Sequence, residues 1–432
     1  MSFVAFATRA KGPVALFRRI SKISRRYGLT SQKMDQSLGL FAQVLDHFDC
    51  CATFPVTAVA LRRNKRVISK YLDGEIEFAV HGYTHIDYSE LAFETSQEHL
   101  RKAFAVFADA GVPVAGFRSP YLRRGENLSK ALESAGFVYA SNQPILWDVL
   151  DESDFEAAGQ ANYRRALVFY APWSASDYLS LPRLHAGFVE IPVSLPDDEI
   201  LLDRLNGEGK EFVEKAWRRI LSQVYKRGEL FVLQLHPERI ALAVKALTAV
   251  LTEAHALTPP VWMASLQDIA AWWKARTEAV VYVREEDQNR LRIEVSGPAG
   301  TTVLVRGIEP DAQVCPWLNG YQRVLETGFI FQASRRPFIG ISPEASPQLG
   351  DFLRQQGYIV EVSPDKELYS YYFEQESFLI EDERSLLFQI EEFDAPLVKL
   401  SRWPDGARSA LSITGDIDGL TIWDYLLRFL GR

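Results

Sequence analysis

The chain has 432 residues, 47% hydrophobic and 24% charged, a globular mix that excludes a disordered or fibrous protein and leaves room for two or three domains. Its 48 Lys and Arg against 56 Asp and Glu give a net charge of −8, which argues against a general nucleic-acid coat because such a coat needs a basic surface. Three cysteines, of which Cys50 and Cys51 are adjacent, are too few for a disulfide framework and are read as reduced.

From Met1 to Gln36 the only acid is Asp35, against Arg9, Lys11, Arg18, Arg19, Lys22, Arg25, Arg26 and Lys33. Leu16, Ile20, Ile23 and Tyr27 recur at helical spacing, so a basic amphipathic helix is expected. It reads as a peripheral contact with an anionic membrane surface, as a transit-peptide mimic, or as an outer helix with a solvated face. The start, MSFVAFATRAKGPVALF, has no sustained apolar stretch followed by a small-residue cleavage site. No apolar run approaches roughly 18 residues, so no membrane span is expected, and a cytoplasmic location is the expectation.

Residues 40–280 alternate strand-like and helix-like segments, the pattern of an α/β fold. Strands are expected at Ala52–Val59, Glu75–Val80, Val114–Phe117, Phe137–Ala140, Phe188–Val193 and Leu230–Leu235. Thr95 and Glu98 read as a capping box opening a helix that stops at Gly111. Asn127 reads as the cap of a helix stopped by Gly136, and a further helix is expected through Trp217 and Ile220 to Tyr225.

The texture changes near Glu278. Leu291–Val295 and Thr302–Val305 alternate at period two around Gly297-Pro-Ala-Gly300, which reads as a hairpin or small sheet. Phe338–Ile341, a helix near Gln348–Gln356 and Tyr358–Val362 form a βαβ-like unit without a dinucleotide fingerprint. Eleven acids between Glu361 and Asp394 face only Lys366 and Arg384, a charge run read as a solvated face. The last segment holds a short strand, Ala410–Ile413, then Asp416 and Asp418, then a helix over Thr421–Leu430.

Four constellations can carry chemistry. His81-Gly-Tyr-Thr-His85 can place two imidazoles on one metal, but Gly82 disfavours a helix and the general base of a His-Glu-x-x-His motif is missing. Asp416 and Asp418 point the same way if extended, so one can bind metal while the other acts as base. His236 ends an apolar strand, the catalytic position in a barrel. Arg118-Ser-Pro-Tyr121 follows a strand, where an arginine can hold a carboxylate bidentately. Each piece taken alone also reads as a structural feature: a satisfied histidine, a polar turn or a salt bridge.

Together these pieces resemble the NodB-homology polysaccharide deacetylases, carbohydrate esterase family 4. His81 and His85 match that family's metal-binding histidine pair, Arg118, Pro120 and Tyr121 its Arg-x-Pro-Tyr motif, and Leu233, Leu235 and His236 its Leu-x-Leu-His segment. Ala52-Thr-Phe-Pro-Val56 is similar to the strand ahead of the histidine pair. The family's aspartate motif normally precedes that strand, where Asp46 and Asp49 do not fit. The matching segment is Leu411-Ser-Ile-Thr-Gly-Asp416-Ile-Asp418, at the other end of the chain, which resembles a circular permutation. The Asp-x-x-x-Trp motif is matched only loosely, by Trp147 and Asp148 in reversed order.

The resemblance implies a distorted (β/α) barrel with an inserted small α/β domain: residues 1–280 as the main part of the barrel, 281–401 as the insert, and 402–432 as the strand and helix that complete the barrel. It implies a hydrolase of non-peptide carbon–nitrogen bonds that removes an acetyl or other acyl group from an N-acetylated sugar or glycan precursor, a lipid-linked one included. Asp418, His81 and His85 would bind Zn²⁺ or a similar ion. Asp416 would be the base, with Arg118 orienting it. His236 would be the acid, and a backbone N–H near Tyr121 would face the oxyanion. Two other readings stand beside it, an amidase of small amides or imides and a non-catalytic carbohydrate-binding barrel. The insert reads as a lid or as a spacer that returns the last strand.

Overall fold

The computed structural model describes residues 26–151, 155–205, 210–287 and 289–428. The basic stretch through Leu16, Ile20 and Ile23 lies outside them. Within them, no helix is long and apolar enough to cross a membrane.

Helix α1 (Gln32–His47) leads into strand β1 (Ala52–Val56), helix α2 (Ala58–Ile68) and strand β2 (Ile76–Val80). Then come α3 (Phe93–Ala110), β3 (Gly116–Phe117), α4 (Glu126–Ala135), β4 (Tyr139–Ala140) and β5 (Pro144–Leu146). Helix α5 (Ala157–Tyr170) and strands β6 (Trp173–Ser174), β7 (Arg183–Leu184), β8 (Val189–Glu190) and β9 (Val193–Leu195) follow. Helix α6 (Lys210–Arg227), β10 (Leu230–Leu235), α7 (Ile240–Ala256), β11 (Val261–Met263) and α8 (Leu266–Ala275) end this half.

These strands curl into one sheet in the order β6-β5-β9-β10-β22-β1-β2-β3-β4-β8-β7, parallel except at β7–β8. The inserted member, β22 (Ser409–Gly415), comes from the C-terminal end of the chain. It pairs with β10 from Leu230↔Ala410 to Leu235↔Gly415, and its far edge meets β11 and then β1. All seven of its residues are buried, as expected for a strand covered on both faces. The sheet curls shut because one short segment serves both ends: β8 pairs with β4 while β9, two residues on, pairs with β5 and β10. The fold is the distorted (β/α) barrel that the sequence led us to expect.

The first and last described stretches are tied together. Ile422 donates its backbone N–H to Gly28, and Tyr27 and Tyr425 pack with ring centres 4.7 Å apart. Helix α11 (Ile422–Arg428) is fixed by Asp424, which accepts from Leu420 and Thr421 and pairs with Arg63 at 3.2 Å.

Residues 280–400 build three small sheets. Strands β12 (Val280–Asp287), β13 (Arg290–Ser296) and β17 (Gly328–Gln332) form one, and β14 (Val303–Arg306), β15 (Val314–Pro316), β16 (Tyr321–Val324) and β21 (Leu397–Leu400) another. In the third, β18 (Arg336–Ile341) lies between β19 (Val360–Val362) and β20 (Tyr369–Phe373), with helices α9 (Pro347–Gln355) and α10 (Glu383–Glu392). One apolar cluster crosses from the barrel into this part, joining Val232, Trp272 and Trp273 to Ile339, Leu353 and Trp403.

Several local expectations need correction. Helix α3 starts at Phe93 and has no side-chain cap, because Phe93 packs on the core and draws in the first turn ahead of Thr95. Helix α4 starts at Glu126, and Asn127 instead donates to the carbonyl of Leu91 at 3.2 Å. The strand from Ala52 ends at Val56, since Thr57 turns the chain into α2 and donates its hydroxyl to the carbonyl of Asp418. Phe188–Val193 is two strands, because Pro192 offers no N–H to a ladder and the chain changes partners there. Leu291–Val295 and Thr302–Val305 are not hairpin partners: the loop between them is pinned by Asp405 N–H to the carbonyl of Gly300, and each strand joins a different sheet.

Candidate active site

The residues singled out in the sequence stand where parallel strands end. His81 follows β2, Arg118 follows β3, His236 follows β10, and Asp416 follows β22. Ladder bonds continue past the strands to fix them: His81 N–H donates to Val56, Arg118 N–H to Val80, and Asp416 N–H to Leu235. Strand ends on one rim of a parallel barrel are where such folds place their chemistry.

The loop after β2 turns at Gly82, whose φ is +81°. A Cβ there would lie 2.7 Å from the Tyr88 ring, so only glycine fits. Tyr88 in turn accepts the Tyr83 N–H through its hydroxyl at 2.7 Å. This turn brings His85 back beside His81, their ring centres 5.1 Å apart. His81 Nδ1 lies 2.9 Å from the carbonyl oxygen of Arg118. A carbonyl can only accept, so Nδ1 carries a proton and Nε2 is the nitrogen left to face a metal. That Nε2 is 3.5 Å from Asp418 Oδ1, and His85 Nε2 is 3.0 Å from the same oxygen. All three side chains are buried, and their ligand atoms lie within 4.8 Å of one another. Two imidazole nitrogens and one carboxylate oxygen suit a divalent ion such as zinc, and the Nδ1 contact of His81 with a carbonyl turns Nε2 toward the site, as in metal-binding histidines. Asp418 is steadied by the hydroxyl of Tyr425, which donates to Oδ2 at 3.2 Å.

Beside this triad Arg118 is fully buried, and four of its five guanidinium N–H groups are hydrogen-bonded. Nη1 donates to Asp416 Oδ1 at 2.9 Å and to Thr414 Oγ1 at 2.7 Å, Nη2 to Ser141 Oγ at 2.8 Å, and Nε to the Ser141 carbonyl at 3.2 Å. The second oxygen of Asp416 accepts from Gln234 Nε2 at 3.1 Å. Tyr121 and Leu122 both adopt left-handed backbone conformations, φ +62° and +54°, which are costly for residues with a Cβ. The Tyr121 ring stacks edge-on to His85 at 4.4 Å.

His236 is held by Asp198. The carboxylate lies 2.6 Å from Nδ1 and accepts the backbone N–H at 2.8 Å. Burial and neighbouring Arg239 push the imidazole down, but Asp198 outweighs them and its pKa stands raised at about 9. Asp197, alongside, is pushed up to about 6 by burial and by the Asp198 charge.

The sequence reading missed Asp198, Gln234, Thr414, Ser141 and Tyr425. Asp197 and Asp198 follow β9 directly, and that strand-end position was the available signal. The loose match at Trp147 and Asp148 is corrected: Trp147 is buried with its indole N–H on Ser194, and Asp148 is exposed. The carboxylate that holds His236 is Asp198, and the one on Arg118 is Asp416. The three cysteines are free and take no part in the site.

Residues 35–140 match the family model described as polysaccharide deacetylase, a span holding His81, His85, Arg118 and Tyr121 but not His236, Asp416 or Asp418. Among solved structures, one described as a polysaccharide deacetylase from Pseudomonas aeruginosa PAO1 is 20% identical with a TM-score of 0.42, over 55% of this chain and 72% of that one. Another so described, from Mycobacterium smegmatis, is 21% identical with a TM-score of 0.43, over 62% and 86%. An allantoinase is 20% identical with a TM-score of 0.43, over 55% and 72%. No curated protein matches the sequence.

Proposed function

From a barrel of the polysaccharide-deacetylase type, with that family's segment at residues 35–140, we propose that this chain is a metal-dependent hydrolase removing an acetyl group from an N-acetylated sugar or glycan precursor. The observation that carries the reading is the convergence, from opposite ends of the chain, of His81, His85 and Asp418 beside the Asp416–Arg118 pair. His81, His85 and Asp418 would hold the ion, zinc or a close equivalent. When bound it would supply Lewis acidity, lowering the pKa of water and polarising the acyl carbonyl.

Asp416 takes the proton of the attacking water. One hydrogen bond from Arg118 and one from Gln234 fix the plane of its carboxylate, and each oxygen retains a further acceptor direction. His236, protonated at neutral pH, gives a proton to the leaving nitrogen from Nε2, because Nδ1 is engaged by Asp198. A backbone N–H near Tyr121 faces the developing oxyanion, and the strained conformation there is the feature that supports this role.

The test is a screen of N-acetylhexosamine oligomers against small amides, following acetate and ammonia. Acetate release from the sugars, reduced about 10²–10⁴-fold in Asp416→Asn, is the expected result for loss of a general base. Ammonia from the amides with no acetate from the sugars would overturn the substrate, and full activity in Asp416→Asn would overturn the mechanism.

A further inference from the structure

Away from the candidate active site, a pocket of about 550 Å³ opens where α8 hands the chain from the barrel to the small sheets. Its charged lining is Arg276, Arg354 and Asp351, and the last two face each other at 3.4 Å. Arg276 is the charge left over. Among the described residues it makes no ion pair, and its Nη1 is buried without a hydrogen-bond partner. One face of its guanidinium lies over the Trp273 ring at 4.5 Å, which leaves the edge for recognition. Ser401, which lines the same pocket, also has a buried hydroxyl without a partner.

An arginine in this condition is costly to the fold. Burial disfavours its charge, and the neighbouring Arg402 is a second cation; together they push its pKa down to about 9, still well above neutrality. Structural arginines are normally matched by carboxylates or carbonyls, as Arg118 and Arg306 are here. Much of the rest of the wall is apolar, including Leu184, Trp272 and Val281, with Thr277, Thr301 and Gln355 among it. A volume of this size with a few convergent polar groups suits a small molecule.

We propose that this pocket is a second binding site, for a small molecule that presents a carboxylate or phosphate to Arg276 and Ser401 and rests its body on the apolar wall. An oxyanion supplies the two acceptor oxygens that the open edge of Arg276 and the Ser401 hydroxyl lack, and neutralises the charge shared with Arg402.

The full chain is titrated calorimetrically with glucose 6-phosphate, glucuronate and, as a neutral control, glucose, at constant ionic strength. Saturable binding of at least one of the two anions is expected, with none of glucose, and which anion binds distinguishes phosphate from carboxylate. Arg276→Gln is expected to weaken binding at least tenfold and Ser401→Ala about threefold or more, while His81→Ala leaves it unchanged. In anion-free buffer Arg276→Gln is expected not to lower Tm, since a partly buried charge without an ion pair is removed, and to abolish the anion-dependent rise in Tm expected of the parent chain. Absence of binding by both anions, or unchanged affinity in Ser401→Ala together with an Arg276→Gln variant that loses Tm without anion, would overturn the proposal.

Discussion

Arg118 shows how closely the site is made at the level of single side chains. Its charge is buried and tolerable only because Asp416, Thr414 and Ser141 meet three of its nitrogens. Arg118→Ala would strand the Asp416 carboxylate, and a loss of about 3–5 kcal/mol in denaturant unfolding is expected. His236 sets the pH behaviour. Its pKa in the fold, about 9, is raised above the ordinary 6.5, so the Asp198–His236 contribution to stability is full below about pH 6.5 and is lost as pH rises through about 9. Activity that needs the protonated imidazole should fall over the same alkaline limb. Asp198→Asn should move that limb to lower pH in a kcat/KM profile, and an unmoved limb would assign it to another group. His81, Arg118, His236 and Asp416 drew notice because each directly follows a recognisable strand, and His85 and Asp418 through their short spacing from His81 and Asp416. Asp198 was not, since two aspartates after Leu195-Pro196 look like any polar loop, and its role depends on a histidine 38 residues away.

Among the elements, β22 matters most. It is a central strand with no solvent face, so Leu411→Ala or Ile413→Ala should cost about 2–5 kcal/mol, visible as a lower denaturant midpoint with little change in slope. A cost below about 1 kcal/mol would mean that the strand is less integral than its pairing indicates. Legibility followed burial and length. The apolar run Leu230–Leu235 was found with its true bounds, and β22 was seen in part. Two-residue strands such as β3 and β4 exist only through their neighbours, so their bounds are not written locally. Helix starts were misplaced where tertiary contacts of Phe93 and Asn127 outweighed capping preferences. The hairpin expected at Gly297–Gly300 failed because alternation shows that a strand is half-buried and says nothing of its partner.

At the scale of the whole molecule the barrel is closed by both ends of one chain, with residues 280–400 leaving and returning between β11 and β22. This order was legible because the Asp-x-Asp segment had no counterpart ahead of Ala52, and barrel closure makes such an exchange of ends inexpensive. The contact of Ile422 with Gly28 leads to a direct expectation. Linking Arg428 to Arg26 through a flexible linker and opening the chain between Ser401 and Arg402 should leave a folded protein with its metal site intact, as judged by circular dichroism and zinc content. The shared apolar core of barrel and small sheets was not legible, because it joins residues such as Trp272 and Ile339 that no local pattern connects. The most direct measurement is the zinc content of the dialysed full chain and of Asp418→Ala, by inductively coupled plasma mass spectrometry. About one equivalent in the parent chain, lost in a variant that remains folded, is the expected result for a three-ligand site. Equal zinc in both proteins, or none in the parent chain, would contradict a metal centre at His81, His85 and Asp418.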